Sequence, residues 1–242
     1  MCAARRLPWL AALGLAALAG CADLERPPKP FGPGHDLVNE AIGSLAAFEP
    51  RQFPAMQASL EAGCAVLIFP GVSSAAFLVG GAHGHGVLME RDPATGGWHG
   101  PVFVSMSEID LGVHVVAGPR DILVAVQSCG ALDAFLAQGT TVRLGLLMEA
   151  QAGENGAARQ ALAGVTVHSR MRGVNIGAAV NATMLRLDPE LARSFYGMPL
   201  QASEILARDR NDDPMALALR FAVAAATRRP GDASAGAEAP RR

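Results

Sequence analysis

Between Ala65 and Val126 the chain is cut by Gly, Pro and Asp into short apolar runs, each of which reads as a strand. Ala65-Val66-Leu67-Ile68-Phe69 stops at Pro70-Gly71. Ala76 to Gly80 and Gly86 to Met89 flank the run Gly80-Gly81-Ala82-His83-Gly84-His85-Gly86, which reads as hairpin turns. Trp98 to Ser105, Leu111 to Ala117 and Ile122 to Val126 follow. Strands this short and this closely spaced favour antiparallel pairing, as in a sandwich or barrel.

Helical patterns bracket this region. Leu37, Ala41, Leu45 and Phe48 recur at spacings of four, four and three, with Asp36 as the expected N-cap. A second, shorter helix is expected over Pro54 to Glu61, and a third from Ser128 through Gln138 with Gly139 as its stop. Strands resume at Val142 to Ala150, a polar loop covers Gly153 to Ala158, and Val165 to Ser169 and Gly173 to Asn181 look like another pair of strands. In the last segment Val174, Ile176, Ala178 and Val180 alternate with Gly173, Asn175, Gly177 and Ala179, leaving one face nearly bare for a helix or ligand to approach. Asp188-Pro189-Glu190 and Asp213-Pro214 each begin a helix, the acid capping and the proline fitting the first turn. The expected fold is α+β, a single domain with an antiparallel β-sandwich or barrel-like core and flanking helices.

The N-terminus is of another kind. Arg5 and Arg6 precede an apolar stretch from Leu7 to Leu18, the length of a secretory signal and too short to span a bilayer. It ends at Leu18-Ala19-Gly20-Cys21, which looks like a bacterial lipobox: cleavage before Cys21 leaves that residue first, its sulfur carrying a diacylglycerol and its amine a third acyl chain. Each buried methylene contributes about 0.8 kcal/mol, so several chains together resist dissociation. Ala22 rather than Asp follows the cysteine, which favours the periplasmic face of the outer membrane. The expected organisation is a signal peptide at 1–20, a Pro-rich tether at 21–35, the folded domain at 36–227 and a disordered tail at 228–242.

Charge narrows the partners. The chain holds 20 basic and 22 acidic residues, and Lys29 is its only lysine. Residues 1–20 carry two arginines and no acid, so the mature chain has 18 basic and 22 acidic groups, a net of −4. No basic excess suggests nucleic acid as a partner.

The order of several blocks resembles the SYLF domain, a lipid-binding module of eukaryotic actin-patch proteins and bacterial lipoproteins. These blocks are Ala65 to Pro70, Phe77-Leu78-Val79-Gly80-Gly81, Gly84 to Leu88 and Gly97-Trp98-His99-Gly100-Pro101-Val102-Phe103. Further on come Leu111-Gly112-Val113-His114, Asp121-Ile122-Leu123-Val124, the Ala131 to Gly139 helix, Gly153 with Gly156, Arg172-Gly173-Val174 to Gly177, Tyr196-Gly197 and Glu204-Ile205-Leu206. The similarity covers residues 36–210. The chain departs from the family in Val167-His168 and Val174-Asn175, where aromatics are usual, and in Phe195, which replaces a tyrosine. The resemblance implies phospholipid or phosphoinositide binding without catalysis, with lipid contact on the N-terminal helix and adjoining surface. Leu37, Ala41, Leu45 and Phe48 are the matching candidates, joined by Trp98, Gly173 and Gly177. Asp36, Glu40 and Glu49 surround that helix and no basic residue lies between Lys29 and Arg51, so attraction to anionic headgroups, about 1 kcal/mol per basic residue, is missing. The helix is expected to pack on its own domain, and any lipid contact would be apolar.

Other chemistries are weaker. Gly71-Val72-Ser73-Ser74-Ala75 is similar to a nucleophile elbow, but Ala75 stands where the last glycine belongs and no helix pattern follows. His83 and His85, with His99 or His114, could ligate a metal, yet glycines surround them and Glu90 is the one nearby acid in sequence. Gly80 to Gly86 lacks the Lys-Ser/Thr of a phosphate loop. No catalytic residue, metal or cofactor is therefore expected. Cys64 and Cys129 could bond if their α-carbons lie within about 7 Å, though two buried free thiols are the expectation. Trp98 is placed in the core, with a membrane interface as its alternative. The expected protein is a monomeric outer-membrane lipoprotein that binds phospholipid. The alternatives are a structural or protein-interaction module at that membrane and, last, a periplasmic hydrolase using Ser73.

Overall fold

Ala82, Gly84 and Gly86 are buried while Gly81, His83 and His85, alternating with them, are exposed, the period-two signature of a strand. The glycine run is therefore no hairpin. In the computed structural model it lies inside one long strand, β1 (Ala65–Arg91). The structure describes residues 32–49, 53, 55–138, 142–152, 158–162, 164–172, 174–207 and 213–227, all within one compact unit, Phe31–Arg242. The expected signal peptide, Cys21, most of the tether, Gly139, most of the polar loop, Gly173 and the tail lie outside the described residues.

After β1, Asp92 organises a turn by accepting hydrogen bonds from Ala94 N–H (2.8 Å) and Thr95 Oγ1 (2.7 Å). These bonds hold its carboxyl below its ordinary value. The chain returns as β2 (Trp98–Val126), antiparallel to β1 from Arg91↔Trp98 to Ala65↔Val126. The expected separate strands of this region are thus two. Their apparent breaks are irregularities within the ladder: the register shifts between Phe69 and Val72, where Pro70-Gly71 sits, and again at Phe77/Val79 and Leu88/Glu90. A bulge absorbs a proline that a regular central strand would reject.

Both long strands turn back on themselves. A Cβ on Gly84 would meet Val72 at 2.8 Å, and one on Gly86 would lie 2.5 Å from the Ile68 carbonyl oxygen and collide with the Phe69 ring. These two glycines allow the halves of β1 to touch. In β2, Arg120 Nη2 donates to Glu108 Oε1, although twelve residues of straight strand would separate them by about 40 Å. Thr183 Oγ1 donates to the other carboxylate oxygen at 3.0 Å, and all three residues are buried.

The second edge of β2 pairs with β5 (Val165–Met171) over Arg120–Val126 and with β6 (Val174–Leu187) over Val104–Ala117. Beyond them, β4 (Ala158–Leu162) pairs with β5 and β3 (Val142–Ala152) with β6. The expectation of an antiparallel α+β domain holds. The sheet folds over its own core, but β1 stays on one edge and β3 with β4 on the other, so it is open rather than a closed barrel.

Among the described residues six helices surround the sheet: α1 (Pro33–Ala46), α2 (Met56–Glu61), α3 (Cys129–Gln138), α4 (Pro189–Tyr196), α5 (Ala202–Ala207) and α6 (Pro214–Ala226). Asp188 accepts from Leu191 N–H (3.0 Å) and Asp213 from Met215 N–H (2.7 Å), so both acid-proline starts cap as expected. Asp36 does not cap: α1 begins earlier, after Gly32, with Pro33 in its first turn, and Asp36 instead lies within that turn. There a negative charge still favours the helix terminus.

Cys64 and Cys129 form a disulfide with α-carbons 5.9 Å apart, which corrects the expectation of two buried free thiols. Its 65-residue separation makes it worth about 4 kcal/mol in chain-entropy terms. The core between the folded layers is filled by Leu67, Ile68, Phe69, Leu88, Met89, Phe103 and Leu123.

Candidate ligand cavity beneath the first helix

Helix α1 is held at its start. Gly34 N–H donates to Ser194 Oγ of α4 (2.9 Å), and His35 Nε2 lies 3.0 Å from Asp213 Oδ2 at the cap of α6. Its inner face is Leu37, Val38, Ala41, Ser44 and Leu45. Ser44 is the polar member of that face, only 6% exposed, and among the described residues its Oγ has no hydrogen-bond partner.

Beside Ser44 is a cavity of about 510 Å³. Glu40, Gly43 and Ser44 of α1 form one wall, and the bulge at Pro70-Gly71 with Pro119 forms another. Asp121, Arg170 and Arg172 complete it. Asp121 and Arg170 are direct cross-strand partners in the β2–β5 ladder, an arrangement that favours opposite charges. Asp121, 1% exposed, accepts from Arg170 Nη2 (2.5 Å), Arg172 Nη2 (3.0 Å) and Gly71 N–H (2.9 Å). Gly71 has φ +58°, a left-handed conformation that suits glycine, and so presents its N–H to this carboxylate.

One carboxylate thus orients two guanidinium groups without using all their donors. Arg170 Nε is buried and has no partner among the described residues, and the Arg172 side chain is 46% exposed. A buried donor or hydroxyl without a partner costs about 1–3 kcal/mol, so this wall is complementary to a ligand with several acceptor oxygens. Its volume falls in the range of small-molecule sites.

The residues expected to contact lipid are elsewhere. Leu37, Ala41, Leu45 and Phe48 are all buried against the domain's own core. Trp98 is 6% exposed, in that core, with the Arg91 guanidinium 4.7 Å from its ring centroid. Gly177 sits in mid-sheet between His114 and Gln151, and Gly173 lies outside the described residues. Tyr196 donates to the Pro101 carbonyl (2.8 Å), and burial pushes its phenol well above the ordinary value.

The features weighed for other chemistry are also placed. Ser73 lies in β1 opposite Pro119, and the strand continues past it, so the strand-to-helix turn of a nucleophile elbow is not formed. Gly80 to Gly86 is paired along β2 from Asp110 to Val104. His83 and His85 stack edge to face at 5.1 Å on the exposed side of β1. His85 Nδ1 lies 3.1 Å from Asp188 Oδ2, an acid far off in sequence. His99 Nδ1 lies 3.0 Å from the Leu206 carbonyl, and the His114 side chain lies outside the described residues. Among the described residues no three or more His, Cys, Asp or Glu side chains group as a metal site.

A second cavity, of about 490 Å³, lies between α3 and α5 and includes Glu90, Asp133 and Gln201. Burial, then the nearby Asp133, raises the Glu90 carboxyl above its ordinary value. Among the described residues no cluster of donors faces it, so this space has less binding chemistry than the cavity under α1.

Ser44 was detectable in sequence as a polar residue three after Ala41 and four before Phe48, on the apolar face. Asp121 and Arg172 fall within blocks that carried the family resemblance, whereas Arg170 and Glu40 gave no separate signal.

No curated protein and no solved structure matches the chain. A family comparison does: residues 107–226, from the middle of β2 through α6, match the family described as Ysc84, Las17-binding protein actin regulator. The matched span includes Asp121, Arg170 and Arg172 but neither α1 nor β1. With this match joining the sequence blocks that resemble it, the chain belongs to the Ysc84, or SYLF, domain family.

Proposed function

We propose that the protein is a bacterial lipoprotein, held at the periplasmic face of the outer membrane by acylated Cys21, whose domain binds phospholipid without catalysing a reaction. Family membership supports a lipid-binding or protein-interaction module. The observation that favours lipid is the cavity under α1, where the buried Ser44 Oγ and Arg170 Nε have no partner and Arg172 remains half-exposed. A phosphodiester supplies acceptors for Arg172, and meets Ser44 Oγ and Arg170 Nε once the wall that buries them opens. The apolar face of α1 is already covered, so on this reading the headgroup enters the cavity and the helix stays on its domain.

The Leu18-Ala19-Gly20-Cys21 sequence supports the anchor, and the Cys64–Cys129 disulfide supports an oxidising compartment. Mass measurement of the mature N-terminus tests the anchor: an unmodified Cys21 refutes it. For the ligand, the whole mature chain is made with Cys21→Ser behind a conventional cleavable signal, which removes the acyl anchor, and is floated with phospholipid vesicles. Binding is expected at low salt. Failure with every headgroup class overturns the lipid reading.

A protein-interaction reading has one observation of its own. On the outer face of α6, Leu217 and Phe221 are 37% and 68% exposed, and their neighbours Pro214, Ala218 and Ala225 are exposed and apolar too. A helix apolar on both sides normally covers both. Absence of vesicle binding would leave this reading standing.

A further inference from the structure

Among the described residues the charges lining the α1 cavity are two arginines and two acids, and they play unequal parts. Asp121 is buried and already accepts three hydrogen bonds, so it serves to position Arg170 and Arg172. Glu40 is exposed at the α1 wall and makes no hydrogen bond or ion pair among the described residues. It is four residues before Ser44, hence on the same side of the helix and about one turn away. Donors for an anion and an acceptor for a cation are therefore placed side by side.

We infer that this cavity selects a zwitterionic phosphate ester carrying a primary ammonium, the phosphoethanolamine class. The inference rests on the phospholipid reading above and names the headgroup. The phosphate oxygens meet the exposed part of Arg172 and, as the wall opens to them, the now-buried Ser44 Oγ and Arg170 Nε, and the ammonium meets Glu40. Arg170 and Arg172 balance Asp121 and Glu40, so a zwitterion leaves the site neutral, whereas a purely anionic headgroup faces Glu40 uncompensated. Among the described residues the lining has no aromatic side chain, which quaternary ammonium recognition uses. A primary ammonium instead offers three N–H donors to a carboxylate.

The test uses the whole mature Cys21→Ser chain, with vesicles of phosphatidylcholine alone or mixed with phosphatidylethanolamine or phosphatidylglycerol. Soluble O-phosphoethanolamine, phosphocholine and inorganic phosphate serve as competitors. Phosphatidylethanolamine is expected to bind about tenfold better than either other lipid, with competition by phosphoethanolamine alone at matched concentration. Glu40→Gln, an exposed substitution, should erase that preference and raise binding to phosphatidylglycerol. Ser44→Ala should weaken binding to every phosphate lipid. Vesicle binding that is equal for all three lipids, or strongest for phosphatidylglycerol, or unchanged in Glu40→Gln, overturns the headgroup inference and leaves the lipid reading intact. Binding of soluble phosphoethanolamine without any vesicle binding supports the site's chemistry and overturns the lipid source. No binding of either kind overturns both.

Discussion

Arg120 and Asp121 are neighbours on β2, yet they belong to two different acid–arginine clusters. Arg120 pairs with Glu108, and Thr183 completes the carboxylate's bonding inside the fold of the sheet. Asp121 pairs with Arg170 and Arg172 on the opposite face, where the cluster borders a cavity. The chemistry is the same. Enclosure separates them: Glu108 and Arg120 side chains are both 5% exposed, whereas Arg172 is 46% exposed. A sealed pair acts as a structural joint, and a pair with one wet arm keeps donors for something else.

The largest expected effect tests the sealed cluster. Glu108→Ala removes the buried carboxylate that accepts from Arg120 and Thr183 and should cost about 3–5 kcal/mol in chemical denaturation. Replacing both residues by apolar ones of similar volume should recover most of that loss, and failure to recover would show that the pair does more than fill the bend. Next comes Asp121→Asn, which weakens three bonds but leaves Arg172 able to reach water. A loss of about 1–3 kcal/mol is expected, and a loss equal to that of Glu108→Ala would erase the distinction between the clusters.

Ser44→Ala should raise stability, by up to about 1–3 kcal/mol, because it removes a buried hydroxyl that has no partner among the described residues. The same substitution should lower phospholipid affinity on the proposed reading. A clear destabilisation would mean that Ser44 has a structural partner.

The smallest effect lies at neither cluster. The folded-state value of Glu90 is raised, so the folded protein binds that proton more tightly than the unfolded chain. Its contribution to stability therefore declines as pH rises from the ordinary carboxylate value through the raised one. Glu90→Gln should gain a little thermal stability at neutral pH and nothing below that window. A gain that is independent of pH would assign the effect to packing.

Where neighbouring residues decide the structure, the sequence is readable. Asp188-Pro189 and Asp213-Pro214 announce their helices because the capping bond spans only two or three residues. The inner face of α1 is readable from spacing for the same reason. The long strands are not, because Pro70-Gly71 and Gly80 to Gly86 carry the composition of turns, and only contact between distant halves of β1 shows why glycine is needed there. The cavity is still less readable. Its walls come from four segments, and the pairing of Asp121 with Arg170 is set by strand register across 49 positions. The Cys64–Cys129 bond belongs with these, since proximity of the two α-carbons follows from the fold and not from spacing.

The anchoring of α1 has a consequence in time. The helix is made early, but the residues that hold its first turn, Ser194 and Asp213, are made almost last. A chain delivered N-terminus first therefore has β1 to pack against α1 early but leaves the helix's first turn unheld until nearly all of the domain has followed. The cavity wall at Glu40 and Ser44 is joined by Arg172 only after 132 and 128 further positions. Assembly of the site is consequently a late event, and loss of the last helix would be felt at the first.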